Sequence, residues 1–239
     1  EAMLALDKDG LKISDFQLIQ SEGSLSAEGR IAPDRSLDIN FQATRLDLST
    51  LITLIAIDED LKGIMDIEGL CSGTLQQPTI SIIANIEEGY FREFNFENLE
   101  SELIWDSMTN QIEVKKFTIA LEEQYQITAQ GNIPMRSLAF TMEEELDLTP
   151  AYSDIPLDFQ ISMEKADLNI IKVFWQDTFS EITGTADLKL LLTGTADHPV
   201  INGTIGIYQG VAHLADLPVQ IGEINNTINI INNKIIIPS

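Results

Sequence analysis

The feature that most constrains this chain is a period-two alternation of apolar and polar residues, repeated along most of its length. Leu37, Ile39, Phe41 and Ala43 alternate with Asp38, Asn40 and Gln42. Leu157, Phe159, Ile161 and Met163 alternate with Asp158, Gln160 and Ser162. Ala186, Leu188, Leu190 and Leu192 do the same against Thr185, Asp187, Lys189 and Thr193, with Leu191 the one exception. Successive strand side chains point to opposite faces, so each segment has one apolar face and one wet face. Antiparallel sheets with one solvated face read this way, whereas parallel βαβ sheets read as continuous apolar runs.

The predicted strands are long. Segments 63–75, 79–89, 110–121 and 183–195 run toward ten residues or more, against a usual length of about 5–6. Short turn signals separate them: Gln76-Gln77-Pro78, Asp106 to Asn110, Asp197-His198-Pro199 and Asn232-Asn233. Two stretches read as helix. Leu51, Leu54 and Ile55 fall at helical spacing behind Ser49 as N-cap, and Ile171, Phe174 and Trp175 do so behind Asn169.

Composition narrows the function classes. Fourteen basic residues face 38 acidic ones, a net charge of −24, which argues against a nucleic-acid partner because phosphate binding needs clustered Lys and Arg. Apolar residues make up 44%, too many for a disordered acidic tail. Cys71 is the single cysteine, so neither an internal disulfide nor a cysteine zinc site can form. His198 and His213 are the only histidines, which leaves little for a metal cluster or a catalytic triad. No cofactor is expected. The apolar run 51–57 is far short of the roughly 20 residues of a membrane-crossing helix. No basic segment followed by an apolar one marks a signal peptide. A chain that begins Glu-Ala-Met and stops after NNKIIIPS is expected to be a fragment.

The two helical stretches sit at equivalent points of an internal repeat. Residues 63–89 align without a gap on 184–210 at an offset of 121, with Gly63/Gly184, Asp66/Asp187, Leu70/Leu191, Gly73/Gly194, Thr74/Thr195, Pro78/Pro199, Ile80/Ile201, Ile86/Ile207 and Gly89/Gly210 identical. Upstream, RLDLSTLI (45–52) lies over KADLNIIK (165–172) at an offset of 120. A repeated sheet unit with one apolar face predicts a quasi-one-dimensional array. Residues 1–62 read as a partial first repeat with a helix near 49–57. Residues 63–182 read as a second repeat with a helix near 168–176, and 183–239 as the start of a third, all in one continuous elongated sheet.

The segment GTADLKLLLTGTADHPVINGTIGIYQG, with Gly194, Pro199, Gly203 and Gly210 and the following run Ile224 to Ile230, resembles the repeats of the TamB/AsmA-like family of bacterial envelope proteins. The earlier unit carries Gly73, Pro78 and Gly89 but has Ile82 where the later one has Gly203. The resemblance implies an all-β fold of long antiparallel strands forming a curled, U-shaped sheet, the β-taco groove, with an apolar interior and short helices. It implies a segment of a protein anchored in the inner membrane of a diderm bacterium, lying in the periplasm and carrying phospholipids toward the outer membrane. An outer-membrane insertase is the implied partner, through a part of the protein outside this sequence.

Elementary chemistry is compatible with that role. Exposing an acyl chain to water costs about 0.8 kcal/mol per CH₂, and an apolar trough avoids the cost while the headgroup stays solvated. No bond is made, so the chain is expected not to be an enzyme. The expected lining is Met65, Ile67, Cys71, Ile80, Ile82, Ile86, Leu188, Leu190, Leu192, Ile201, Ile205 and Ile207, in contact with phospholipid acyl chains. The acidic runs Asp58-Glu59-Asp60, Glu97 to Glu102 and Glu143-Glu144-Glu145 lack the spacing of calcium loops and read as solvated faces that discourage edge-to-edge association. Two other classes stay open: a structural or adhesive β-solenoid whose apolar faces close on each other, and a carbohydrate-active β-helix enzyme, which would need paired carboxylates in a cleft.

Overall fold

A computed structural model describes residues 3–20, 23–49, 61–91, 94–121, 125–135, 154–169, 179–215 and 220–237. They form β1 (Met3–Asp7), β2 (Gly10–Gln20), β3 (Gly23–Ile31), β4 (Ser36–Asp47), β5 (Leu61–Thr74), β6 (Pro78–Phe91) and β7 (Phe94–Asp106). The second half supplies β8 (Gln111–Leu121), β9 (Tyr125–Pro134), β10 (Asp158–Asp167), β11 (Phe179–Gly194), β12 (Pro199–Leu214), β13 (Gln220–Ile231) and β14 (Lys234–Ile236). The strands lie in chain order in one 14-stranded sheet, every neighbour antiparallel, and the sheet is not closed into a barrel. The expected all-β fold of long antiparallel strands is therefore what the chain adopts. Pro78 and Pro199 open strands instead of sitting inside turns; a missing N–H does least harm at a first strand position.

The register puts the apolar residues on one face. Ile39, Cys71, Ile80, Trp105, Ile112 and Ile133 stand directly opposite one another across β4 to β9. Phe159, Leu192 and Ile201 form a second row across β10 to β12, and Met163, Leu188, Ile205 and Ile228 a third across β10 to β13. Followed strand by strand, this inner face carries no Asp, Glu, Lys or Arg among the described residues.

The sheet curls because its strands are bent at regular intervals. Each even-numbered strand from β2 to β12 carries one extra residue relative to a neighbour, between Ile13 and Phe16, Ala43 and Leu46, Ile86 and Gly89, Val114 and Phe117, Met163 and Ala166, and Ile207 and Gly210. A bulge of this kind bends and twists its strand. The two residues between each pair are outward and polar: Ser14-Asp15, Thr44-Arg45, Glu87-Glu88, Lys115-Lys116, Glu164-Lys165 and Tyr208-Gln209. At five of the six, the second residue is left-handed, with φ of 53° at Asp15, 48° at Arg45, 50° at Glu88, 50° at Lys165 and 51° at Gln209. A non-glycine residue there costs roughly 1–2 kcal/mol. A hydrogen bond offsets it: the Arg45 N–H donates to Asp66 Oδ1 at 2.8 Å, that of Lys165 to Asp187 Oδ1 at 2.7 Å, and that of Gln209 to Asn225 Oδ1 at 2.8 Å.

Residues that match in the sequence repeat hold matching places in the backbone. Asp66 and Asp187 are two of the three bulge acceptors just described. Gly73 and Gly194 have φ of 86° and 90°, and a Cβ on either would stand 2.5 Å from the carbonyl oxygen of Gln77 or His198. Thr74 and Thr195 then accept the N–H of Gln77 and of His198 through Oγ1, at 3.1 and 3.3 Å. One unit is six strands, β4 answering to β10 and β6 to β12.

The residues expected to be helical begin as helix at 48–49 and as a 3₁₀ turn at 168–169; the remainder of 49–57 and 168–176, with Leu51, Leu54, Ile55, Ile171, Phe174 and Trp175, lies outside the described residues. The capping groups differ from expectation. Asp47 Oδ1 accepts the Ser49 N–H at 2.9 Å, and Asp167 Oδ1 accepts the Asn169 N–H at 2.8 Å. The cap is the strand-end aspartate two residues before Ser49 and before Asn169, because a carboxylate reaches the N–H two residues on from an extended position.

Candidate lipid groove

The inner face is closed at one level and open at another. At and beyond the bulges lie two buried clusters. The first joins Ala43, Leu46, Leu48, Met65, Ile86 and Phe96; the second joins Met163, Ala166, Leu168, Ile182, Ala186 and Ala212. They are counterparts in the repeat, with large and small exchanged: Ala43 and Met65 in the first become Met163 and Ala186 in the second. Such an exchange keeps the filled volume nearly constant, which close-packed interiors tolerate best. Tyr125 and Ile127 of β9 pack against the first cluster, none of whose members lies on a strand nearer than β7, so the face is concave there.

Between the bulges and the short turns the described residues leave the same face largely outside any buried cluster. Cys71, Ile80, Ile82, Leu103 and Trp105 on β5 to β7, and Phe159, Ile161, Leu190, Leu192, Ile201 and Ile205 on β10 to β12, are half-buried and belong to neither cluster. The two stretches flank a locally buried patch of Ile112, Val114 and Ala129 on β8 and β9. With strands about 4.8 Å apart, these apolar rows run across the strands, along the axis on which the units succeed each other.

All twelve residues expected to line a groove fall on this face, but they divide between the levels. Met65 and Ile86, 5% and 8% exposed, are part of the first cluster. Ile67 packs against that cluster, and Leu188 and Ile207 against the second. Cys71, Ile80, Ile82, Leu190, Leu192, Ile201 and Ile205 remain in the open level. The repeat alone supplied only β5, β6, β11 and β12. Leu103, Trp105, Phe159 and Ile161 complete the surface from β7 and β10. Their signal was the same alternation, broken on β7 by the inward Ser101 and the outward Ile104.

Cys71 stands between Ile39 and Ile80, and burial pushes its thiol pKa up. That suits a small apolar lining residue better than a nucleophile, which needs a thiolate. Two glycines on this face serve aromatic rings: a Cβ on Gly69 would lie 2.0 Å from Phe41, and one on Gly89 2.0 Å from Phe96. Each ring occupies the space a side chain on the facing glycine would need, which fills the face without a bulky pair.

The outer face is mainly polar and cross-linked by charge, with Leu70 and Ile83 exposed among its polar residues. Lys116 donates to Glu100, Lys115 lies 3.5 Å from Glu102 and Lys189 3.9 Å from Glu164. The Lys116 hydrogen bond holds the Glu100 carboxyl below the ordinary glutamate range. Leu191, the break in the alternation, lies on this face, 42% exposed. The acidic runs at 58–60 and 143–145 lie outside the described residues. Comparison with protein families, with curated proteins and with solved structures finds no match.

Proposed function

We propose that this chain is a lipid-sheltering segment of a larger transport protein, holding phospholipid acyl chains against its inner face while headgroups stay in solvent. The observation that carries this reading is an uncharged apolar face continuous over the described strands, of which the level between bulges and turns is only half-buried and belongs to neither closed cluster among the described residues. Leaving that surface to water would be unfavourable by about 25 cal/mol per Å², and acyl chains are an occupant that needs no polar partner. Rows running across the strands give such chains a path along the axis. Binding of this kind makes and breaks no bond, so the proposal includes no catalysis. The family resemblance supports the wider setting: a periplasmic segment of a protein anchored in the inner membrane of a diderm bacterium, moving phospholipids between membranes, supporting outer-membrane assembly and meeting an insertase through another region.

Native mass spectrometry of the purified chain, followed by solvent extraction, tests the reading. Bound phospholipid is expected. A lipid-free protein whose inner face excludes added lipid would instead favour a structural or adhesive solenoid, a reading favoured by the two closed clusters.

A further inference from the structure

Turn tips stand in solvent and are usually polar. Neighbouring tips at one end of this sheet depart from that. Leu75 is 53% exposed in the β5–β6 turn, Met108 is 69% exposed in the β7–β8 turn, and Met135, just past β9, is 43% exposed. Successive tips are about 10 Å apart, two strand spacings. Backbone hydrogen bonds tie the rim together. The Leu75 N–H donates to the Arg35 carbonyl at 3.0 Å, that of Ser107 to Pro78 at 3.1 Å, and that of Met135 to Asn110 at 3.0 Å.

The turns themselves do not require these side chains. Thr74 Oγ1 accepts the Gln77 N–H as Thr195 Oγ1 accepts that of His198, yet the residue after the threonine is Leu75 in one turn and Ala196 in the other. Asp106 Oδ1 accepts the Met108 N–H at 2.8 Å, and Asp7 Oδ1 accepts the Asp9 N–H at the same distance. The same local bond thus holds a methionine in one turn and an aspartate in the other. The apolar tips are also uncharged. Residues 75–77 and 107–110 include no Asp, Glu, Lys or Arg, whereas Lys8 and Asp9, Asp34 and Arg35, and Asp197 occupy the β1–β2, β3–β4 and β11–β12 turns.

We propose that Leu75, Met108 and Met135 dip into the surface of a phospholipid bilayer, so that lipid enters the groove sideways over the turn rim. Separate tips offer too little area for a stable protein interface, which needs on the order of 1,200 Å² or more, and two chains of net charge −24 repel each other. Single apolar side chains enter a bilayer without any matching surface, and uncharged turns bring no carboxylate against lipid phosphates. The inference rests on the lipid reading above and adds a route of entry. The same hairpins carry Cys71, Ile80 and Trp105 of the open level, so an acyl chain that leaves the bilayer over this rim meets the apolar face without crossing water.

The experiment compares the wild-type chain with Leu75→Ala/Met108→Asp, in which each replacement is the residue a counterpart turn already carries. Each is titrated with monomeric short-chain phosphatidylcholine and, separately, sedimented with phosphatidylcholine vesicles. Both chains are expected to bind the monomeric lipid alike. The variant is expected to bind vesicles at least about tenfold more weakly, from the loss of two apolar insertions, and to take up vesicle lipid correspondingly slowly. A wild-type chain that binds monomers but not vesicles would overturn the rim while leaving the groove intact. Vesicle binding that survives in the folded variant would overturn it too, as would a variant that loses monomer binding as well. A wild-type dimer that the variant abolishes, without vesicle binding, would assign the tips to a second copy instead. Binding of neither form of lipid would overturn the groove reading and the rim with it.

Discussion

The inner face is one surface in the sequence and two in the structure. Ile86 and Ile82 are the same residue type on the same strand and the same face, four positions apart. Ile86 is sealed among Leu46, Met65 and Phe96, and Ile82 is half-buried outside any cluster. The difference is the height of each relative to the bulge. At the bulge the strand bends inward and the start of the helical connection adds Leu48 or Leu168 to the buried cluster; nearer the turns no buried cluster forms among the described residues. On the proposed reading, stability and binding capacity are carried by different levels of one sheet. The closed level holds the curl, and the open level is left available because the closed one does not depend on it.

Substitutions that exchange the two roles break this comparison most sharply. Ile86→Ala is expected to cost about 2–5 kcal/mol, as a large-to-small change in a packed cluster, read as a lower urea midpoint. Leu190→Asp or Ile205→Asp, in the open level, is expected to leave a folded chain with a midpoint much closer to wild type but to lose most of its bound lipid. The adjacent Leu191→Asp, on the outer face, should lose none. Lipid binding that survives in folded Leu190→Asp and Ile205→Asp chains would mean the occupied surface lies elsewhere.

A smaller effect concerns the bulges that divide the levels. Asp66→Ala removes the acceptor for the left-handed Arg45 and is expected to cost about 1–2 kcal/mol. Asp187→Ala should cost a similar amount at Lys165, and Asp66→Asn should recover most of the loss because an amide oxygen also accepts. Unfolding curves that place both alanine variants at the wild-type midpoint would show that other contacts set the bend.

The smallest expected effect is on the outer face. The folded Glu100 carboxyl titrates below its unfolded value because Lys116 favours its charged form. Its contribution is therefore complete above the ordinary glutamate range and fades as pH falls through the lowered folded value. Glu100→Gln is expected to match the wild type in lipid binding at every pH. The two thermal midpoints should converge as acid removes the wild-type charge. A gap that widens in acid would give the pair the wrong sign.

The strands and their inner face were legible because period two is a local property: Leu157 to Met163 can be read without knowing a neighbour. The bulges left a readable trace as well, since two outward polar residues in a row, Glu87-Glu88, Lys115-Lys116 or Glu164-Lys165, move the alternation by one step. The division of the face was not legible. Whether Ile67 or Ile82 is covered depends on what packs across the concavity, and the isoleucines are chemically identical. The caps were misplaced for a related reason. Asp47 and Asp167 fall in register as strand residues, and only the backbone turn beyond them makes them acceptors.

Cys71 offers the most direct measurement, because the only thiol of the chain lies in the open level and its neighbour Ser72 points to the other face. A polarity-sensitive fluorophore is attached to Cys71, or to position 72 in a Cys71→Ala/Ser72→Cys variant, and each is titrated with monomeric phospholipid. If acyl chains occupy the open level, emission from Cys71 should shift to the blue and saturate, while the probe at position 72 stays unchanged. No shift at Cys71, or equal shifts from the two faces, would contradict the account.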